Sequence, residues 1–371
     1  MQSANVAAPA YYAVALPNGF VPFAIMKDGQ IPGAVGNQAA IDNNGIVTLL
    51  ASDPNCVSGT TAAAVNTLGQ AVGFCFKNAR RGERIALDFA NGTVRELGDR
   101  FRPGIAEALT INDAGEIYGT STCLNCSAAP FLTEFFTNGQ RPRVLGESNS
   151  TGNAENVFLS NTGHFAYTNF PFAGPEFAAI GYGWGLSRLF PNQVGNSGVS
   201  GINDHDTTVG WKSAGSFNHF QTFIRSPGGG ITFLPSPLGI TSMTPTGINN
   251  AGQVVGQSCS ARCDGIFFYS SGDVVDLTWR ISPRNSYTLL GGLSDSGDFI
   301  GQDPQGNSYL IEPVKPLFVA NYFANTVTAY VPPYTGSPIS TTSFYIGNPQ
   351  GLAFDGKRDL FVSNGVNSDI T

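Results

Sequence analysis

The chain has few residues suited to acid–base chemistry near neutral pH, because it contains only three histidines. His164 and His205 fall in predicted hairpin turns and His219 precedes a predicted strand, none with an Asp or Ser at a motif distance. The sequence also lacks Gly-x-Ser-x-Gly elbows, His-Glu-x-x-His pairs, phosphate-binding glycine loops followed by Lys, and Asp-rich calcium loops. It therefore predicts no catalytic, cofactor-binding or metal-binding residue.

Oxygen-bearing side chains nevertheless recur at one turn position, at Asp113, Asp204, Asn250 and Asp295. Asn and Asp at turns bond the nearby backbone, so the predicted role of these side chains is to form the turns. A ring of such oxygens along one rim would also suit calcium, the one cofactor that the sequence leaves open as an alternative.

These turns belong to an internal repeat, which is clearest at Ile111–Gly119, Ile202–Gly210 and Ile248–Gly256. Weaker copies of the same pattern begin at Ile25, Val65, Leu159 and Leu293. Successive copies start 40 to 48 residues apart. Each has a short apolar strand, a polar turn with Asn, Asp or Gly, and a second apolar strand, which is the pattern of a β-hairpin.

A second hairpin falls between consecutive copies, as at Phe223–Leu234 around three glycines. One unit thus has four strands in about 45 residues, which is typical of a propeller blade. Such a hairpin opens the chain at residues 11–23, and the last copy has no complete hairpin after it. One blade assembled from both termini would close a ring and protect its sheet edges.

The sequence therefore predicts an all-β fold, a seven-bladed β-propeller of four-stranded antiparallel blades over residues 11–313. N- and C-terminal hairpins would close the ring, and residues 307–313 would form a leftover strand leading out of it. Six or eight blades are the alternatives, because the copies at Ile25 and Leu159 are degenerate.

The Gly-Ile-Asn-x-x-Gly-x-Val-Val-Gly pattern resembles the HAF family of bacterial extracellular repeats over residues 25 to about 301. The match is strongest at Gly201–Gly210 and Gly247–Gly256. That family has no established activity, so the resemblance implies export and supplies no catalytic residues. Ser160, Tyr167 and Asp206 depart from the pattern.

Residues 314–371 follow a different pattern, in which Leu317–Asn321 is echoed by Leu360–Asn364. This segment resembles the opening of an NHL- or YVTN-type propeller. Because repeat units need about three neighbours to bury their faces, we predict the truncated start of a second propeller-like region rather than an independent domain.

Six cysteines also bear on the cellular compartment. Cys123 with Cys126, and Cys259 with Cys263, occupy the same predicted loop between second and third strands, where local disulfides would brace the loops. Cys56 and Cys75 would pair between blades, and free structural thiols are the remaining alternative to disulfides. A zinc site is disfavoured because the two loops would lie three blades apart. Met1–Ala10 shows no signal-peptide features, so we expect a truncated start to an exported protein.

The composition of the chain limits the classes of molecule that it could bind. The chain of 371 residues has a net charge of −7 and only 12% charged residues, with no Lys/Arg cluster, which excludes nucleic acid. No apolar run approaches the ~20 residues of a membrane span. We predict a monomer.

The aromatic residues between 131 and 190 suggest a contact surface, with Phe170, Phe172, Tyr182 and Trp184 as its candidates. The leading hypothesis is a non-catalytic, secreted or cell-surface module that binds an unknown protein or glycan through loops on a rigid scaffold. One alternative is a propeller-type lyase, lactonase or glycan hydrolase with its site at the channel mouth. The other is a structural spacer in a larger surface protein.

Overall fold

The computed structural model describes most of the chain, and every regular element in that part is a β-strand. The described residues are 11–78, 82–98, 104–124, 131–136, 143–148, 157–169, 175–182, 185–191, 195–214, 219–260, 262–315, 317–330, 340–342, 346–354 and 360–365. No helix in this part is long and apolar enough to cross a membrane. The chain divides into two compact units, one containing Ala13–Glu312 and the other Pro313–Thr371.

Four sheets of the first unit each consist of four consecutive strands, paired antiparallel in chain order. Their strands are β2 (Phe20–Pro22), β3 (Ile31–Val35), β4 (Gln38–Asn43) and β5 (Ile46–Leu49); β14 (Val157–Leu159), β15 (His164–Asn169), β16 (Phe177–Tyr182) and β17 (Gly185–Arg188); β18 (Ser197–Ile202), β19 (Thr208–Ser213), β20 (Phe220–Arg225) and β21 (Ile231–Phe233); and β22 (Ser242–Ile248), β23 (Val254–Cys259), β24 (Gly265–Ser270) and β25 (Asp273–Asp276).

A further sheet contains eight strands that fall into two antiparallel halves of four. The strands are β6 (Thr60–Val65), β7 (Ala71–Asn78), β8 (Glu83–Ala90), β9 (Thr93–Glu96), β10 (Gly104–Ile111), β11 (Ile117–Cys123), β12 (Phe131–Phe136) and β13 (Arg143–Ser148). The halves are joined by a parallel pairing of Ile105 with Arg84, beside the ion pair of Arg84 with Glu107.

One sheet contains strands from both ends of residues 11–313, which confirms that the two ends share a blade, but its strand pairing differs from the predicted hairpins. Its order is β26-β1-β29-β28-β27, where the strands are β1 (Tyr11–Ala15), β26 (Ile281–Ser282), β27 (Thr288–Leu289), β28 (Phe299–Gln302) and β29 (Ser308–Pro313). The predicted hairpin over residues 11–23 is wrong, because β1 and β2 belong to different sheets. The segment predicted as a leftover strand is β29, inside this sheet. The turn after β1 forms as expected, with the Phe20 N–H on the Pro17 carbonyl at 3.0 Å, but a turn does not determine which strands pair.

The core lies between successive sheets. The hydrophobic clusters draw on neighbouring sets of strands, as where Ile180 of β16 packs with Val199 and Phe223 of the next sheet. Phe165, Phe223, Phe267 and Phe299 are fully buried. Sheets that follow one another face to face around a central cavity, lined by the first strand of each set, form a β-propeller.

In four copies of the repeat, the glycine that ends the copy pairs with a strand whose register shifts. In β6 the register shifts between Ala62 and Ala64, a bulge that pushes the strand backbone toward Gly73 of β7. A Cβ on Gly73 would overlap the Thr61 carbonyl oxygen. Tyr167, which departs from the pattern, pairs with Val157 in β14 without a register shift.

The second unit contains a three-stranded sheet and a hairpin. The strands are β30 (Leu317–Asn321), β31 (Thr326–Tyr330), β32 (Ser340–Thr342), β33 (Pro349–Phe354) and β34 (Leu360–Asn364). Its identity as the start of a second propeller stays a prediction.

Candidate functional site

The seven copies of the repeat form one type of turn, and in six of them the side chain of the residue before the predicted position caps it. In the copy at Asn112, the Asn112 Oδ1 accepts the Glu116 N–H at 2.9 Å. Asn203 Oδ1 likewise accepts the N–H groups of His205 and Thr207, both at 3.0 Å. The Asn of the motif is therefore the turn-forming residue.

The carboxylate position has a different role from the predicted one, because its side chains link neighbouring turns. Asp113 Oδ1 accepts the Thr67 N–H at 2.9 Å, and the Asp113 N–H donates to Asn161 Oδ1 at 2.9 Å. The same bond continues through Asp204, Asn250 and Asp295 at 2.8 to 2.9 Å. Finally, the Asp295 N–H donates to the Lys27 carbonyl at 2.7 Å. We call Lys27, Thr67, Asp113, Asn161, Asp204, Asn250 and Asp295 the turn belt.

The turn belt gives no support to the calcium alternative. Asn250 Nδ2 donates to Asp204 Oδ2 and to Asp295 Oδ2, both at 3.0 Å, so amides lie between the carboxylates. Within the described residues, no group of three or more His, Cys, Asp or Glu side chains is arranged to hold a metal ion.

Lys27 crosses the belt to reach a carboxylate three copies away around the ring. Its Nζ lies 2.6 Å from Asp204 Oδ1, and both side chains are largely buried. Burial by itself raises the pKa of Asp204. The charge and hydrogen bond of Lys27, with the Asn161 N–H and the Asn250 amide, outweigh burial and hold the pKa below its ordinary value of 3.8.

This lowered pKa predicts an acid-dependent loss of stability. Below about pH 3.8, Asp204 binds a proton in the unfolded chain but stays ionised in the folded protein. The free energy of unfolding therefore decreases as the pH falls toward the lowered pKa of the folded state. We expect Asp204→Asn to flatten the Tm profile between about pH 5 and pH 2, because Asn fits this position at Asn250. Thermal melts of both proteins across that range test this, and equal slopes contradict it.

The central cavity has a volume of about 630 Å³, and the turn belt lines one end of it. Its wall is formed by the first strand of each set, with apolar side chains such as Leu109 and Val157. This volume lies within the range of small-molecule sites.

Two departures from the repeat meet in the structure. Ser160 replaces the capping Asn in one turn, and Asp206 replaces the turn Gly in the next. The Ser160 hydroxyl donates to Asp206 Oδ1 at 2.9 Å, and Thr162 Oγ1 also contacts this carboxylate. Asp206 keeps the φ of +58° that glycine usually supplies, a conformation that costs of order 1 kcal/mol or more in a non-glycine residue.

Asp206 also gives a partner to His164. In two other copies the residue at the His164 position approaches the turn glycine of the next copy, as Gln70 approaches Gly115 and Glu116 approaches Gly163. In this one copy the glycine is Asp206, and His164 Nδ1 lies 3.1 Å from its Oδ2. His164 has no Asp or Ser at a motif distance in the sequence, and its acidic partner comes instead from the next turn of the repeat.

The imidazole of His164 contacts the exposed aromatic ring of Tyr182. His164 and Tyr182 are directly opposed in the pairing of β15 with β16, and their ring centroids lie 4.6 Å apart. Tyr182 is 61% exposed. We call Thr162, His164, Tyr182 and Asp206 the rim patch.

The other candidate contact residues, Phe170, Phe172 and Trp184, lie outside the described residues, so their place in a contact surface stays a prediction. His205 lies in its predicted turn, and His219 directly precedes β20. The signal that could have found the rim patch was the pair of exceptions in consecutive copies of the repeat.

Two of the three predicted disulfides are present. Cys56 and Cys75 are bonded across the connection between two sheets, and Cys259 and Cys263 are bonded in the loop between β23 and β24. Cys123 is disulfide-bonded as well, while its predicted partner Cys126 lies outside the described residues.

No protein-family model matches this chain, and no curated protein matches it in sequence. Among solved structures, virginiamycin B lyase from Staphylococcus aureus is similar at 12% identity and a TM-score of 0.51, over 81% of this chain and 98% of that one. Oligogalacturonate lyase from Vibrio parahaemolyticus is 8% identical with a TM-score of 0.51, over 81% and 91% of the chains. The β-propeller domain of the Trilobed protease from Pyrococcus furiosus is 9% identical with a TM-score of 0.49, over 78% and 94%.

These likenesses concern the fold alone. Virginiamycin B lyase is a β-propeller protein, in agreement with the sheets described above. Identities this low carry no activity from one protein to another.

Proposed function

We propose that this chain is a secreted or cell-surface, non-catalytic β-propeller that binds a glycan at the rim patch. The observation that carries the proposal is the exposed Tyr182 ring, which is tilted by 32° against the His164 imidazole, together with the pairing of that imidazole with Asp206. The patch stands where two consecutive copies of the repeat break its pattern, and local rules are broken most often at functional sites.

The chemistry of the patch suits a sugar. An exposed aromatic ring offers an apolar face to the C–H groups of a pyranose, and its phenol offers a hydrogen bond. His164, Thr162 and Asp206 lie beside the ring and can bond hydroxyl groups. A few polar groups next to an aromatic surface fix a ligand's orientation.

The test is an array of glycans and cell-wall polysaccharides probed with the full chain under oxidising conditions. We expect saturable binding that weakens about tenfold in Tyr182→Ala, since one aromatic contact contributes roughly 1.5 kcal/mol. Trp279→Ala is the matched control, because Trp279 is a 69% exposed aromatic residue on another sheet connection. It should bind like the wild type.

Equal loss in the Tyr182 and Trp279 variants would move the site away from the rim patch. A folded protein that binds no glycan would overturn the proposal and favour a protein partner or a spacer role.

The enzyme alternative has one observation in its favour, the His164–Asp206 pair, which could hold an imidazole as a general base. A nucleophilic triad is disfavoured, because Thr162 Oγ1 and Asp206 Oδ2 both face the same nitrogen, Nδ1, at 3.0 and 3.1 Å. In a triad the nucleophile and the carboxylate face opposite nitrogens. Cleavage of a bound glycan by the wild type, lost in His164→Asn, would establish this alternative.

The proposal includes seven blades over residues 11–313. Two facts support this count: the eight-stranded sheet divides into two four-stranded halves, and seven copies of the repeat turn line the cavity. Disulfides and the HAF resemblance support export, since disulfides persist in oxidising compartments.

A further inference from the structure

The wall of the central cavity is apolar on one side and is formed by polar residues or glycine on the other. Phe23, Ala63, Leu109 and Val157 occupy one equivalent position in four successive copies of the repeat and line one side with hydrocarbon. The next three copies place Ser200, Thr246 and Gly291 there. An apolar group of a ligand would therefore lie against the first four copies, where it displaces water from hydrocarbon.

The net charge of the cavity lining is negative. Its lining contains four carboxylates, Asp28, Asp113, Asp204 and Asp295, and one ammonium, Lys27, for a net charge of −3. A cleft lined by one sign of charge with low-dielectric walls concentrates ligands of the opposite sign. Anionic ligands are disfavoured here, and cations are favoured.

Lys27 shows how an organic cation fits. Its alkyl chain crosses the end of the cavity, and its ammonium lies 2.6 Å from Asp204 Oδ1. The carboxylate position thus already holds a primary ammonium on a hydrocarbon chain, and three more carboxylates line the same space.

We propose that the central cavity binds a small organic ammonium, a primary amine cation carried on an alkyl or aryl group. The ammonium lies at the carboxylates of the turn belt, and the hydrocarbon lies against Leu109 and its equivalents. This site is separate from the rim patch and does not depend on glycan binding.

The test uses calorimetric titration of the full chain with 2-phenylethylammonium. We expect saturable binding, and binding of the neutral isostere 2-phenylethanol at least about tenfold weaker, a difference of 1.4 kcal/mol for the lost ion pair. Equal affinity for both compounds would overturn the electrostatic part of the argument, and no saturable binding would overturn the proposal.

Gly291→Phe locates the site. A Cβ on Gly291 meets no heavy atom within 4 Å and Gly291 has no positive φ, so the new ring fills the cavity without strain in the backbone. Gly228→Phe is the matched control, with equal free space in an outer hairpin. We expect binding to be lost only in Gly291→Phe, with glycan binding unchanged, and retained binding in that variant would place the ammonium elsewhere.

Lys27→Met provides a second readout that needs no filling of the cavity. It removes the resident ammonium and takes the net charge of the lining from −3 to −4. The affinity for 2-phenylethylammonium should rise severalfold, and an unchanged or lower affinity would contradict the proposed position of the ligand's charge.

Discussion

Gly73→Ala is expected to destabilise the protein by about 3 kcal/mol, because the added methyl group has no space. Its Cβ would overlap the Thr61 carbonyl oxygen and lie 3.0 Å from the Ala62 Cα. Both obstacles are backbone atoms of the bulged strand β6, so no side-chain rotation relieves them. For a domain of this size we expect the Tm to fall by about 6 °C.

Gly228→Ala is the control for the general cost or gain of replacing glycine by alanine. A Cβ there meets no heavy atom within 4 Å, and Gly228 has no positive φ. It should leave the Tm unchanged or raise it slightly, because alanine restricts the unfolded chain. If Gly73→Ala melts at the same temperature as Gly228→Ala, the glycine that ends the repeat is not required to make room for the backbone of the bulged strand.

The repeated pattern predicted the all-β architecture and the hairpins because both depend on local chemistry. Asn, Asp and Gly favour particular turns wherever they occur, and alternating apolar residues favour strands. The turn at Asn43–Gly45 between β4 and β5 is one such case, with Asn44 and Gly45 both at positive φ.

Strands from both ends of residues 11–313 share one sheet, as predicted, but the hairpins there were mispredicted because strand pairing over the whole chain is not a local property. β1 pairs with β29, almost 300 residues later, and the Leu16 N–H bonds the Ser308 carbonyl at 3.0 Å. The turn residues after β1 are compatible both with a hairpin and with a connection between two sheets. Which of the two forms depends on the strands that pair with β1 in the folded protein, here β26 and β29.

The roles of the polar turn residues could not be predicted for the same reason, because they depend on contacts between residues that are far apart in the sequence. Asp113 and Asn161 are 48 residues apart, yet the Asp113 N–H donates to Asn161 Oδ1 because the ring places successive turns side by side. The His164–Asp206 pair arises in the same way. A sequence shows that two consecutive copies are unusual, but it does not show that the unusual residues face each other.

Breaking the Cys56–Cys75 disulfide is expected to lower the free energy of unfolding by about 3 kcal/mol, since it closes a loop of 19 residues. The bond between Cys259 and Cys263, only 4 residues apart, is expected to contribute about 2 kcal/mol. Cys56→Ala is the better variant, because Cys75 is fully buried and its removal would also create a cavity. We expect its Tm to fall further than that of Cys263→Ala.

A reductant separates the loss of the cross-link from the loss of the side chain. In dithiothreitol the wild type also lacks the bond, so the difference between wild type and Cys56→Ala should vanish. If the difference persists under reduction, it comes from packing. If it is absent under oxidising conditions as well, the cross-link adds nothing to stability. In that case the disulfides no longer support folding in an oxidising compartment, and the proposed export would depend on the HAF resemblance alone.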